Sequence, residues 1–107
     1  MTYEELVAIL KELDVQVAYG SFKIAPELPY IVLIEGQIDG LYADDELYYG
    51  TITYALEYYF DKKDRAKERQ IEDLLDKYNL TYFRSGDVFI EDEQLWQKIY
   101  EVIIHVG

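Results

Sequence analysis

From Tyr48 to Phe60 the chain alternates. One parity reads Tyr48, Gly50, Ile52, Tyr54, Leu56, Tyr58 and Phe60; the other reads Tyr49, Thr51, Thr53, Ala55, Glu57 and Tyr59. A period of two with one apolar face specifies a β-strand. The run predicts a long strand that stops at the charged segment Asp61-Lys-Lys-Asp64. Aromatic residues stand on both faces, so the second face is expected to meet another chain.

Other periods place the remaining elements. Leu6, Ile9, Leu10 and Leu13 recur at helical spacing, and Thr2 with Glu5 forms a capping-box pattern, so a helix is predicted over 3–13 with Asp14 ending it. Val15, Val17 and Tyr19 predict a short strand, and Gly20 to Leu28 a loop. Pro29 opens a continuous apolar run, Tyr30 to Ile34, which predicts a central strand covered on both faces. Gly36 to Glu46 carries two glycines and four acids and is read as a connection, with Leu41-Tyr-Ala43 as an apolar island inside it. A second helix is predicted from Arg65 to Tyr78. Asp64 is its N-cap, Ile71, Leu74, Leu75 and Tyr78 form its buried stripe, and Asn79 suits the C-terminal cap. Thr81–Arg84 and Val88–Ile90 flank Ser85-Gly86-Asp87 and predict a hairpin. Leu95 to Val106 fits a strand by alternation and a helix by its Leu95, Ile99, Val102, Ile103 stripe; the β-branched Val102-Ile-Ile104 favours a strand for at least the second half. The order α-β-β-β-α-β-β-β predicts an α+β fold. It would be an antiparallel sheet of about 4–6 strands with two helices on one face, forming one domain over 1–107.

Composition narrows the function. The 107 residues include no cysteine, which excludes disulfides and thiolate metal sites. The start, Met1-Thr-Tyr-Glu-Glu, lacks the basic head and apolar stretch of a signal peptide, and no apolar run approaches a membrane span. A soluble protein made in a cytoplasm is expected. The net charge of −12, from 22 acidic and 10 basic residues, opposes contact with nucleic acid and with anionic membranes. Lys62, Lys63, Arg65, Lys67 and Arg69 cluster in eight residues, while Glu35 to Glu46 holds five acids and no base. Twelve tyrosines suit an interface, because tyrosine combines a stiff contact area with a polar tip; half-exposed strands use it freely as well.

No catalytic, cofactor-binding or metal site is predicted. His105 is the sole histidine and lies in an apolar strand next to the C-terminus, where an exposed strand-end residue is expected. Asp39, Asp44, Asp45 and Glu46 could ligate a hard cation, but their spacing does not fit a calcium loop, and a solvated turn is expected. Gly36 and Gly40 have no phosphate-loop sequence behind them. The only serines, Ser21 and Ser85, fall in predicted turns.

Several pieces in order carry a resemblance. They are Glu4-Glu-Leu-Val-Ala-Ile-Leu-Lys-Glu-Leu13 leading into Val15-Gln-Val-Ala-Tyr19, then Pro29-Tyr-Ile-Val-Leu-Ile-Glu35, then Ala43-Asp44 ahead of Tyr48-Tyr49. Last comes Tyr54-Ala-Leu-Glu-Tyr-Tyr-Phe-Asp-Lys-Lys-Asp64 with Glu68 and Ile71-Glu-Asp-Leu-Leu75. The chain resembles small proteins of the head–tail gene block of tailed phages and prophages of Gram-positive bacteria, described as minor capsid, head–tail joining, tail completion or tail terminator proteins. The resemblance implies an α+β, non-enzymatic, self-assembling subunit, usually six to a ring, docked on tail-tube and connector proteins. It would be made in the host cytoplasm and then held in the virion, without membrane contact, cofactor or sequence-specific nucleic-acid binding. It transfers no individual functional residue. A ring subunit needs two unlike side surfaces. The candidate subunit interface read from charge and exposure therefore pairs Asp39, Leu41, Tyr42, Asp44, Asp45, Tyr49 and Tyr59 with Lys62, Lys63 and Arg65. The acidic connection is expected to be mobile until a neighbour covers it. A different class of function, an acidic mimic of DNA that inhibits a DNA-binding host protein, fits the charge but gains nothing from the basic cluster.

Overall fold

The computed structural model describes the backbone of residues 1–43 and 46–106, with side chains outside 41–48. The fold is α+β. Helix α1 (Tyr3–Leu10) and strand β1 (Gln16–Tyr19) lead into β2 (Tyr30–Ala43) and β3 (Glu46–Phe60). Helix α2 (Arg65–Lys77), β4 (Thr81–Arg84), β5 (Val88–Ile90) and β6 (Leu95–Val106) follow. One six-stranded sheet has the order β1-β2-β3-β6-β4, with β5 also on β6.

The alternation in β3 behaves as the sequence requires. Tyr54, Leu56, Tyr58 and Phe60 are buried on the face that carries the helices. They meet Ile31 and Leu33 of β2, Tyr100, Val102 and Ile104 of β6, and the stripes Leu6-Ile9-Leu10 of α1 and Ile71-Leu74-Leu75 of α2. Both helix starts are capped as their sequences specify. Thr2 and Glu5 form a reciprocal capping box, and the Asp64 carboxylate accepts from the amides of Ala66 and Lys67. Asn79 takes φ 56° just past α2, the left-handed geometry that ends a helix. Tyr78, expected in the buried stripe, is exposed and hydrogen-bonded to Glu12 of α1.

Four expectations are corrected. The sheet is mixed, because β1 runs parallel to β2, Gln16 opposite Tyr30 through Tyr19 opposite Leu33. A parallel neighbour needs a crossover. The helices occupy one face, so residues 20–29 cross the other. Second, Gly36 to Ala43 is not a loop but the second half of β2. It pairs with β3 out to Ala43 opposite Glu46. Gly36, which read as loop punctuation, and Gly50, which read as strand, are close-approach points. At Gly36 an added Cβ would sit 3.0 Å from the Thr53 carbonyl oxygen, where the register shifts. At Gly50, φ is 149° and an added Cβ would lie 2.0 Å from the Asp39 carbonyl oxygen. Third, β4 and β5 are not a hairpin. Both pair antiparallel with β6, on Tyr100–Ile103 and Leu95–Gln97, so they form one interrupted strand broken at Ser85-Gly86-Asp87. Fourth, α1 ends at Leu10, before the predicted Leu13. The ambiguous tail resolves as strand throughout.

The β2–β3 hairpin outruns its neighbours. Pairing with β1 stops at Leu33, and pairing with β6 stops at Gly50 opposite Val106. From Ile34 outward, the far edge of β2 has no partner strand among the described residues. The molecule is accordingly elongated, 44 × 28 × 23 Å.

Candidate functional site

Strand register defines the face away from the helices. Tyr30, Tyr59, Gln97 and Val88 form one row across the strands; Val32, Glu57 and Ile99 form the next; Ile34, Ala55, Glu101 and Phe83 form a third. The crossover covers the first two rows on the β2 side. Its Phe22 ring meets Tyr30 edge-on at 5.5 Å, and Tyr30 stacks on Tyr59 at 5.1 Å. Burial raises the Tyr59 hydroxyl to about 12, and its hydrogen bond to Glu57 adds to that. Beyond the crossover the face is open: Phe83 is 61% exposed, Val88 56% and Ile34 37%. Ala55 and Glu101 separate Ile34 from Phe83 in their row, so these exposed apolar side chains are spaced across the face.

On the helix face the first turn of α2 seals a charge network. Glu68 is wholly buried. Its Oε1 accepts from Arg65 Nη1 at 2.5 Å, and its Oε2 lies 2.9 Å from Lys63 Nζ. Lys98, on the apolar parity of β6, reaches 3.8 Å from Glu68 and 3.3 Å from Asp87, and donates to the Ser85 carbonyl at 3.2 Å. Lys63 also bridges to Asp87 at 2.7 Å. One turn along, Glu72 accepts from Tyr100 at 2.8 Å and Arg84 at 3.0 Å, with Arg65 at 3.6 Å. Burial pushes Glu72 and Asp87 upward. For Glu72, the Tyr100 hydroxyl and the Arg84 and Arg65 charges outweigh that; for Asp87, the Lys63 and Lys98 ammonium groups do. Both carboxyls end below their usual range. Burial, then the Glu72 hydrogen bond, raises the Tyr100 phenol strongly. The network fastens the β4–β5 break to the start of α2. Two of its members, Lys63 and Arg65, belong to the candidate interface read from the sequence.

The candidate interface residues separate on this structure. Lys63 and Arg65 are committed within the chain, to Glu68, Asp87 and Glu72. Lys62, exposed beside them, enters no described ion pair, and neither do Lys67 and Arg69. Asp39 is exposed on the hairpin and accepts from Gln37 at 3.1 Å. Tyr49 is 70% exposed near the hairpin end. Tyr59 is half-buried; its hydroxyl donates to Glu57 at 3.0 Å and accepts from Gln97 at 2.9 Å. The backbone of Leu41 and Tyr42 lies in β2, while Asp44 and Asp45 fall outside the described residues. Asp39 and the basic groups therefore sit on different elements, the hairpin and the α2 start. His105 is exposed in β6, opposite Thr51.

Among the described residues no group of three or more histidine or acidic side chains is placed to hold a metal, and no helix is long and apolar enough to cross a membrane. The sequence reading missed the Glu68–Lys98 pair, although a signal was present. Lys98 interrupts the apolar parity Trp96, Tyr100, Val102, Ile104, and Glu68 stands three residues before Ile71 on the α2 stripe. Compared with known protein families, with curated proteins and with solved structures, the chain shows no significant match.

Proposed function

We propose that this chain is a non-enzymatic structural protein of a phage or prophage head–tail junction, acting by ring-type self-association and by docking on the tail tube or connector. One observation carries the reading beyond the sequence resemblance: the β2–β3 hairpin projects past every flanking strand, with Asp39 and Tyr49 exposed on it. A projecting arm on one side and a basic helix start on another are unlike surfaces of the kind that head-to-tail contact uses, and such contacts close into rings. The chemistry of the remaining surface fits a contact role. It offers strand edges, apolar side chains and tyrosines rather than a cleft of convergent acid–base groups.

Sedimentation in the presence and absence of tail tubes tests the proposal. A ring species that forms at low salt, or on addition of tubes, is the expected result. A strict monomer that binds no tube protein at any concentration overturns it. So does a gene flanked by metabolic genes instead of genes for portal, major capsid and tail-tube proteins.

A further inference from the structure

Under the crossover lies a cleft of about 250 Å³, whose walls include Phe22, Tyr30, Val32, Glu57, Tyr59 and Glu93. Three of the six are aromatic and two are acidic. The rings are already ordered against one another. Tyr59 is pinned at its hydroxyl by Glu57 and Gln97, its ring stacks on Tyr30, and Phe22 closes on Tyr30 edge-on. Glu93 lies near enough to raise the Tyr30 phenol, after burial itself. Elsewhere in the chain half-buried carboxylates have cations of their own: Glu72 has Arg65 and Arg84, and Asp87 has Lys63 and Lys98. Glu57, which is half-buried, and Glu93, which is exposed at the rim, have none among the described ion pairs.

Aromatic faces attract cations through their quadrupole, within roughly 6 Å of the ring centroid, and the attraction grows as the cation leaves water. A carboxylate at the same site adds a charge-assisted hydrogen bond and selects for donors. A neutral apolar guest would cover the half-buried Glu57 without compensating its charge, and an anion would be repelled by both acids. A hydrated divalent metal would find only two carboxylates and a wall of rings. The guest that satisfies every wall has an aliphatic stem for Val32 and the rings, and a charged N–H donor for the acids.

We propose that this cleft binds the cationic end of a lysine or arginine side chain presented by a partner protein. The proposal stands on the cleft alone and does not depend on ring assembly. Phe22 and Tyr59 supply the faces, and Glu57 and Glu93 supply the counter-charge. The crossover, held by Phe22 on Tyr30, forms the roof.

The probes are N-acetyl-lysine amide and N-acetyl-arginine amide, titrated at low salt into the intact protein while the Val32 methyl resonances are followed. N-acetyl-norleucine amide is the neutral control. Saturable shifts in the millimolar range from both cations, and not from norleucine, are expected. The pair E57Q with E93Q should weaken binding about tenfold, the scale of one charge-assisted hydrogen bond, while its melting temperature stays near that of the parent. Tyr59→Phe keeps the ring and should bind within about twofold of the parent, whereas Tyr59→Leu should lose binding, as expected where a face carries the attraction. The proposal is overturned by equal shifts from norleucine amide, by undiminished binding in the folded E57Q/E93Q variant, or by no saturable shift at tens of millimolar probe.

Discussion

Glu68 of α2 and Lys98 of β6 face each other across the helix–sheet interface at 3.8 Å, the first wholly buried and the second with 8% of its side chain exposed. Each stands on an apolar stripe and is shielded from water by its neighbours. Removing one member of a buried pair leaves a bare charge, at a cost of about 3–5 kcal/mol. The environment makes the two deletions unequal. Without Glu68, Lys98 keeps Asp87; without Lys98, Glu68 keeps Lys63 and Arg65. Urea unfolding should show Glu68→Leu in that range, Lys98→Met below it, and the double variant well short of their sum. Strict additivity would show that the two charges are not coupled.

The Glu72 and Asp87 carboxyls make stability depend on acid. Their folded values lie below the ordinary 4.5 and 3.8. A depressed carboxyl stabilises the native state fully above its unfolded value and loses that contribution as pH falls through the folded value. The melting temperature should therefore fall progressively once pH drops below about 4.5, the unfolded Glu72 range. Arg84→Gln removes a cation that lowers Glu72, so it should cost a little stability at neutral pH, the bridge being half exposed, and flatten the acid limb by that same amount. An unchanged acid limb in that variant would show that Arg84 does not set the Glu72 titration.

Glycine substitutions separate strain from crowding. At Gly50 both apply, since φ is 149° and a new Cβ would overlap the Asp39 carbonyl. Gly50→Ala should destabilise by about 2 kcal/mol or more, as strand backbone is forced apart. At Gly86 nothing lies within 4 Å of a new Cβ and φ is ordinary. Gly86→Ala should stay within about 0.5 kcal/mol of the parent. Thermal melts of the two variants compare them directly, and equal melting temperatures would contradict the close approach at Gly50.

Other glycines mark where sequence reading failed. Tyr54, Leu56, Tyr58 and Phe60 are legible because burial on one face imposes alternation on the residues themselves. Gly36, Gly40 and the acids between them carry the composition of a turn. Nothing local distinguishes a glycine that bends a loop from one that lets Asp39 approach Gly50 across a ladder. The β4–β5 break fails for the related reason that Ser85-Gly86-Asp87 has hairpin residues but serves to pass Asp87 toward Lys63 and Lys98. The parallel β1 has no local signature, because direction is set by the crossover. Phe22 is similarly opaque: its partner Tyr30 is eight residues on, and only the crossover brings them together. Of the candidate interface, the sequence located the charges but could not show that Lys63 and Arg65 are already spent on Glu68.

That division decides how self-association is to be tested. The pairing read from charge sets the acidic segment Glu35 to Glu46 of one copy against the basic α2 start of the next, and the cations of that start outside the described ion pairs are Lys62, Lys67 and Arg69. Lys62→Glu with Lys67→Glu should leave the melting temperature close to that of the parent, since neither side chain joins the Glu68 network. Reversing Lys63 and Arg65 instead should lower it sharply, by placing two acids against a buried carboxylate. Sedimentation velocity at low ionic strength, with tail tubes present where the free protein is monomeric, should show the Lys62/Lys67 reversal weakening self-association. Because exposed charges are screened within about 8–10 Å at 0.1–0.15 M salt, the parent's own association should weaken as salt rises. Adding Asp44→Lys and Asp45→Lys to the reversed chain restores opposite signs across the contact and should recover part of the association. If the Lys62/Lys67 reversal changes neither sedimentation nor its salt dependence, the hairpin does not meet the start of α2, and any ring must close through the open sheet face or the unpaired edge of β2.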